Sequence, residues 1–270
     1  MIIIELSNEN IIHVQKSDIE YIQFKRLLEY EDVLKHCFTL KPLDFGSNNT
    51  YEQQKETITD NYKKICNNLN LDYRDIVRPY QTHSDKVKVV EDDKAQIQPS
   101  IFLEEYREVD GLVTNQLNKI LSLTYADCTP LYFFDPNKKA IANIHSGWLG
   151  TAKKIGKKAV EKLIETYKCN PKDIICCIGP TIRDCHFEVD KDVKEKFVKA
   201  FNNMFLHSVI RNKYYINTVS INKAMLLEAG LQEENIIDSG ICTVCNSDLT
   251  YSYRGNNKTE SRNTAIISLV

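Results

Sequence analysis

Between residues 120 and 144, three apolar runs of strand length follow one another: Ile120–Tyr125, Leu131–Phe134 and Ala140–Ile144. Only short polar breaks separate them, and runs of this length bounded by turn residues read as strands. Asp135-Pro136-Asn137 is a turn signal, so the second and third runs should form a hairpin. Further strands are expected at Ile2–Ile4, Ile11–Val14, Asp32–Leu40, Lys86–Val90, Ile174–Ile178 and Thr264–Leu269. Helical spacing of Ile58, Tyr62, Ile65 and Leu69 predicts a helix capped by Thr50 and ending near Leu69. A second helix is expected from about Thr151 to Tyr167, burying Ala152, Ile155, Ala159, Leu163 and Tyr167. Asp190 should cap a third, reaching about Met204, and Ser220–Ala229 should form a fourth, ended by Gly230. The polar stretch Asp92–Arg107 reads as a surface excursion. Strands and helices interleave irregularly, without repeat, Gly/Ser linker or composition break. The expectation is a single α+β domain over residues 1–270, with mixed sheets in the core and helices outside.

The 270 residues carry 35 Lys+Arg against 37 Asp+Glu, a formal net charge of -2. That balance favours neither nucleic acid nor an acidic tail. The longest apolar runs, such as Ile174–Ile178, fall far short of the roughly 20 residues that span a bilayer. Met1-Ile2-Ile3-Ile4-Glu5 has neither a basic n-region nor a cleavage site, so a cytoplasmic location is expected. Nine cysteines without an export signal then read as reduced thiols, some of them core residues and some available to metal. The sequence leaves the oligomeric state open.

Three segments place a metal-binding residue type at a strand end, where sites are commonly built. They are Gln81-Thr82-His83-Ser84-Asp85, Ala126-Asp127-Cys128-Thr129-Pro130 and His145-Ser146-Gly147-Trp148-Leu149-Gly150. If these ends converge, His83, Cys128 and His145 offer a thiolate and two imidazoles. That set suits Zn²⁺, with Cu also possible, and leaves a fourth position open. Residue types alone equally describe two loop histidines and a core cysteine. Asp127 is a candidate acid–base carboxylate or a turn cap, and Asp110-Gly111 reads as a turn. Gly147 and Gly150 before a helix start near Thr151 could admit phosphate, or only shape the chain. Arg254 and Arg262, with Tyr251 and Tyr253 nearby, could clamp an anion and stack on a base. Cys185-His186 is discounted as a nucleophile dyad, because adjacent residues rarely converge. Cys242-Thr243-Val244-Cys245 lacks an obvious second ligand pair and is taken as structural.

Taken together, the chain resembles the laccase-domain family, the YfiH-type purine nucleoside phosphorylases. Seven motifs in order carry the likeness, spanning roughly residues 32–270. They are Gln81-Thr82-His83-Ser84, Asp110-Gly111-Leu112-Val113-Thr114, Ala126-Asp127-Cys128-Thr129-Pro130, His145-Ser146-Gly147-Trp148, Ile178-Gly179-Pro180, Phe187-Glu188-Val189 and Tyr251-Ser252-Tyr253-Arg254. The resemblance implies a metal site of His83, Cys128 and His145, occupied by zinc or, in older descriptions, copper. It implies phosphorolysis of adenosine, inosine and methylthioadenosine, and deamination of adenosine. Asp127, Cys128 and His83 would be catalytic, while Gly147, Arg254 and Arg262 would bind substrate and phosphate. It also brings polyphenol oxidation and the editing of peptidoglycan precursors as alternatives, the latter by a Cys-His hydrolase. Six histidines are too few for a blue copper site plus a trinuclear cluster. Two positions depart from the family pattern: Leu149 replaces an arginine, and Ser261 replaces a glycine before Arg262.

Overall fold

The computed structural model describes residues 5–91, 103–201, 206–210 and 213–270. The strand expected at Ile2–Ile4 and part of the expected excursion after Asp92 lie outside the described residues.

Two six-stranded mixed sheets form the body. The first runs, in spatial order, Ile11–Lys16, Ile19–Phe24, Leu34–Thr39, Asn263–Leu269, Ile120–Tyr125 and Ile76–Val77. The second runs Ile236–Asp238, Ile175–Ile178, Thr129–Asp135, Ala140–Ser146, Gly111–Thr114 and Val87–Val89. A small three-stranded sheet of Glu188–Val189, Lys213–Ile216 and Leu206–Ile210 stands apart.

The period-two alternation of strands assigns each face. Leu121, Leu123 and Tyr125 of the first sheet, with Phe38 and Ile267, meet Leu112, Tyr132, Phe134 and Ile141 of the second. This shared core lies between the sheets. Neighbouring residues turn the other way. Leu131, Phe133, Ala142 and Ile144 pack under helices Ile155–Tyr167 and Thr218–Glu228 through Ala159, Leu163 and Leu226. Cys37, Ile120 and Ile266 pack under helix Lys55–Leu69 through Ile58, Tyr62, Ile65 and Leu69. The central strands are therefore apolar at nearly every position because both of their faces are covered. The expected α+β architecture, with mixed sheets inside and helices outside, is what the chain adopts.

Two polar side chains pin the sheets together. The Asn143 amide donates to the carbonyls of Leu121 and Ala265 at 3.0 and 2.9 Å and accepts from the Tyr125 hydroxyl at 3.1 Å. The Tyr132 hydroxyl donates to the Cys37 carbonyl at 2.8 Å.

Several boundaries differ from expectation for local reasons. The hairpin at Asp135 forms as read, with the Asp135 carboxylate accepting the N–H groups of Asn137 and Lys138. Strand Ile19–Phe24 has no counterpart in the sequence reading. It pairs with Ile11–Lys16 through a turn in which Ser17 is left-handed, at φ 56°. The helix ending at Leu69 starts at Lys55. Thr50 instead accepts the Ser47 N–H in a preceding turn. The helix expected from Thr151 is two helices, Trp148–Ala152 and Ile155–Tyr167. Its first turn is tied to the strand before it, since the Thr151 hydroxyl bonds the Ser146 hydroxyl and the Gly147 carbonyl. Lys154, left-handed at φ 62°, then re-aims the chain so that Ile155, Ala159 and Leu163 enter the core. Ala152 and Tyr167 remain half-buried.

Asn143→Ala would strand two carbonyls between the sheets. We expect a loss of about 3 kcal/mol of stability, read from urea unfolding as a lower midpoint with an unchanged slope.

Candidate metal centre

The chain leaves the first sheet at Tyr125 and enters the second at Thr129, so Ala126, Asp127 and Cys128 cross between them. Asp127 makes the bend with φ 83°. Its carboxylate accepts the hydroxyls of Thr243 and Ser252, each at 2.6 Å, and the Arg254 N–H at 2.7 Å. Cys128 is thereby fixed at the mouth between the sheets. His145 lies on the adjacent strand, paired with Pro130. His83 comes from the loop before Val87–Val89 and is itself left-handed, at φ 60°.

The ligating atoms of His83, Cys128 and His145 all lie within 4.8 Å of one another. The two imidazoles meet edge to face, with centroids 5.0 Å apart. His145 is buried, Cys128 half-buried and His83 exposed, so the cluster opens to one side. Gly147 seals another side. A Cβ there would stand 2.7 Å from His83 Cδ2 and 3.3 Å from Cys128 Sγ. Glycine is needed for that close approach. Gly150 is similar: a Cβ would meet the Ser84 carbonyl at 2.8 Å.

Asp110, fully buried, organises the cluster from behind. Its carboxylate accepts the backbone N–H groups of Thr82, His83 and Ser84 at 3.1, 3.1 and 2.6 Å. It also holds His145 Nδ1 at 2.7 Å, which directs Nε2 towards Cys128 and His83. Burial would raise the Asp110 pKa, but the His145 bond and charge and the Ser84 contacts bring it down to about 2. Burial likewise opposes ionisation of Cys128, yet the charges and hydrogen bonds of His145 and His83 pull its thiol down to about 6. His145, disfavoured as a cation by burial, is raised by Cys128 and Asp110 on either side. Asp110, His145 and Cys128 thus stand in line, each favouring the charged form of its neighbour.

The centre opens into a cavity of about 630 Å³. Tyr80, Gln81, Trp148, Phe187, Tyr253, Arg254, Glu260 and Arg262 are among its lining residues. Both Arg254 terminal nitrogens donate to the Glu188 carbonyl at 3.1 Å. One Arg262 nitrogen donates to the carbonyls of Thr259 and Ser261 at 2.7 and 2.9 Å. These bonds use only part of the five donors of a guanidinium. Burial lowers the Arg262 pKa, opposed by Glu260, Cys128 and Asp44.

The structure therefore brings together His83, Cys128, His145, Asp127, Arg254 and Arg262. It relocates other expectations. Gly147 packs on the ligands, and the cavity wall is formed by its neighbours Ser146 and Trp148. Thr151 is buried inside a five-residue helix and offers no helix start to phosphate. Leu149 is half-buried on that helix and does not line the cavity. Asp110, read as a turn residue, is the carboxylate that positions both histidines. Its direct precedence to a strand was the only local signal. His36 is a core histidine, accepting the Phe24 N–H at 2.8 Å.

The sandwich of mixed sheets, with a His-Cys-His cluster at their shared mouth that could hold a metal ion, has the YfiH-like fold. The chain belongs to the family described as multi-copper polyphenol oxidoreductase laccase, whose pattern it matches over residues 40–270. It is 31% identical over 222 residues to purine nucleoside phosphorylase YlmD of Bacillus subtilis (strain 168), covering 79% of this chain and 78% of that one. It is 32% identical over 190 residues to adenosine deaminase RL5 of an unknown prokaryotic organism, covering 69% and 72%. The crystal structure of YfiH from Bacillus licheniformis superposes with a TM-score of 0.84 at 26% identity, covering 96% of this chain and 99% of that one.

Asp110→Asn removes the charge that orients His145 while keeping the side chain's size. We expect metal affinity to fall about 10–100-fold, measured by competition with a chromogenic chelator.

Proposed function

We propose that this chain is a zinc-dependent purine nucleoside enzyme, cleaving adenosine, inosine and methylthioadenosine with phosphate and deaminating adenosine. The observation that carries the reading is the cavity. One thiolate and two imidazoles reach it together with two arginines and several aromatic rings. Its volume, about 630 Å³, lies within the range of about 300–1,000 Å³ common for small-molecule sites. The names of the two relatives point to the same substrate class.

His83, Cys128 and His145 would hold the ion, with the fourth position facing the cavity. A bound Zn²⁺ supplies Lewis-acid activation of water at neutral pH. Asp110 orients His145 and the His83 loop. Tyr253, 39% exposed, and Phe187 offer faces on which a purine can stack. Arg254 and Arg262 provide the cationic side for phosphate. Asp127 acts as a positioning residue, because its carboxylate is committed to Thr243, Ser252 and the Arg254 N–H. Copper suits the same three donors, so a single-copper oxidation of phenols is an alternative at this site. A reducing cytoplasm suits nine free thiols, and among the described residues no helix is long and apolar enough to cross a membrane.

One observation favours a second reading. Cys128, His145 and Asp110 form the ordered chain of a nucleophile, base and orienting carboxylate. A metal-free Cys-His hydrolase, with peptidoglycan precursors among its substrates, would use it. Chelation separates the two, since it abolishes activity only in the zinc enzyme.

The deciding assay follows adenosine with protein of measured zinc content, with and without phosphate, separating adenine from inosine. We expect adenine to require phosphate and inosine to form without it. Neither product from zinc-loaded, folded protein would overturn the proposal. Arg262→Ala should raise the KM for phosphate about 10–100-fold, the value of a charge-assisted hydrogen bond, with zinc content unchanged. An unaltered phosphate dependence would remove Arg262 from that role.

A further inference from the structure

A second cluster of soft ligands stands apart from the first. Cys185-His186 follows the loop leaving strand Ile175–Ile178, and Cys242-Thr243-Val244-Cys245 follows Ile236–Asp238. The two segments run side by side, with Thr181 bridged to Cys242. The chain turns at residues 183–186, where the His186 N–H donates to the Arg183 carbonyl at 2.8 Å. It turns again after Cys242, whose carbonyl accepts the Asn246 N–H at 3.1 Å. Both turns point their sulfurs and the His186 ring at one point.

The spacing is that of a coordination tetrahedron. Cys185 Sγ lies 3.6 Å from Cys242 Sγ and 3.8 Å from Cys245 Sγ. His186 Nδ1 lies 3.2, 3.7 and 3.5 Å from the sulfurs of Cys185, Cys242 and Cys245. All four ligand atoms fall within 4.8 Å of one another. With Zn–S near 2.3 Å and Zn–N near 2.05 Å, a regular tetrahedron has S···S edges of about 3.8 Å and S···N edges of about 3.6 Å. Four protein ligands leave no open position, which is the arrangement of a structural zinc.

We propose that Cys185, His186, Cys242 and Cys245 bind a second Zn²⁺, which cross-links the segment of Thr181, Ile182 and Phe187, part of the cavity wall, to the Cys-x-x-Cys turn beside it. Thr243, enclosed by the Cys-x-x-Cys, donates its hydroxyl to Asp127 at 2.6 Å and its N–H to the Thr181 carbonyl at 3.1 Å. Phe187, next to His186, lines the cavity. The cross-link therefore braces the support of Cys128 without touching substrate.

The test counts zinc per chain by plasma mass spectrometry, on protein purified under reducing conditions and freed of loosely held metal. Wild type should retain about two zinc ions. The His83→Ala, Cys128→Ala double variant should retain one, the Cys185→Ser, Cys245→Ser double variant one, and the quadruple variant none. If the Cys185→Ser, Cys245→Ser protein does not fold, X-ray absorption on the His83→Ala, Cys128→Ala protein decides. Three sulfurs near 2.3 Å and one nitrogen near 2.05 Å are expected there. Folded His83→Ala, Cys128→Ala protein without zinc, a first shell of oxygen or nitrogen, or a disulfide among Cys185, Cys242 and Cys245 would each overturn the site. Nucleoside turnover does not enter this measurement. Protein that holds this zinc but converts no nucleoside keeps the second site and overturns only the proposed activity.

Discussion

The buried carboxylate of Asp110 is the contact on which the geometry of the candidate metal centre depends. A charge with no exposure is costly unless every lobe is satisfied. Here three successive backbone N–H groups and an imidazole satisfy it. The same residue is woven into the sheet, its N–H donating to Lys86 and its carbonyl accepting from His145. One side chain therefore sets the path of the loop that carries His83 and the ring orientation of His145. The left-handed conformation of His83, unfavourable for a residue with a Cβ, is held by that grip. With Nδ1 committed to Asp110, Nε2 is the nitrogen left available to ligate, and the Cys128 sulfur stands before it.

What was legible in the sequence follows from how local each signal is. The hairpin at Asp135 could be read because two apolar runs flank a turn whose own side chain closes it. Strand Ile19–Phe24 was not, because Glu20 and Gln23 break its apolar pattern and the opposing strand supplies the pairing. The break at Lys154 carries no glycine or proline to mark it; its cause is the tie between Thr151 and Ser146. In the metal centre, the residue types of His83, Cys128 and His145 suggested ligands, but only the ordered motifs selected them. For Asp127 the residue type suggested an acid–base carboxylate or a turn cap, and the direction of the carboxylate was not legible. That direction is set by Thr243 and Ser252, more than a hundred residues away in sequence.

The Cys185-His186 and Cys242/Cys245 pairs show the same limit from the other side. Each pair taken alone is ambiguous, and the two are 56 residues apart at His186 and Cys242. The segments meet because Ile175–Ile178 and Ile236–Asp238 are parallel neighbours in the second sheet. Chains leaving parallel strands exit at the same edge, so the two pairs are delivered side by side. Sheet topology, and no local spacing, creates that cluster.

This placement ties the two clusters into one mechanical unit. Cys128 lies between Asp127 and Thr129, and both neighbours are held by the same two segments. The Asp127 carbonyl accepts the Ile182 N–H and the Thr181 hydroxyl, each at 2.9 Å. The Thr129 and Thr181 hydroxyls meet at 2.8 Å. The Asp127 carboxylate is held by Thr243, Ser252 and Arg254. A cysteine that is to serve as a metal ligand needs a rigid support. Here that support is built from two turns, which are softer than strands. Joining those turns through four ligands stiffens them where Thr181 and Thr243 contact the Cys128 crossing. The sheets therefore fix His145, Asp110 fixes the His83 loop, and the cross-linked turns fix Cys128, so each of the three ligands has its own anchor.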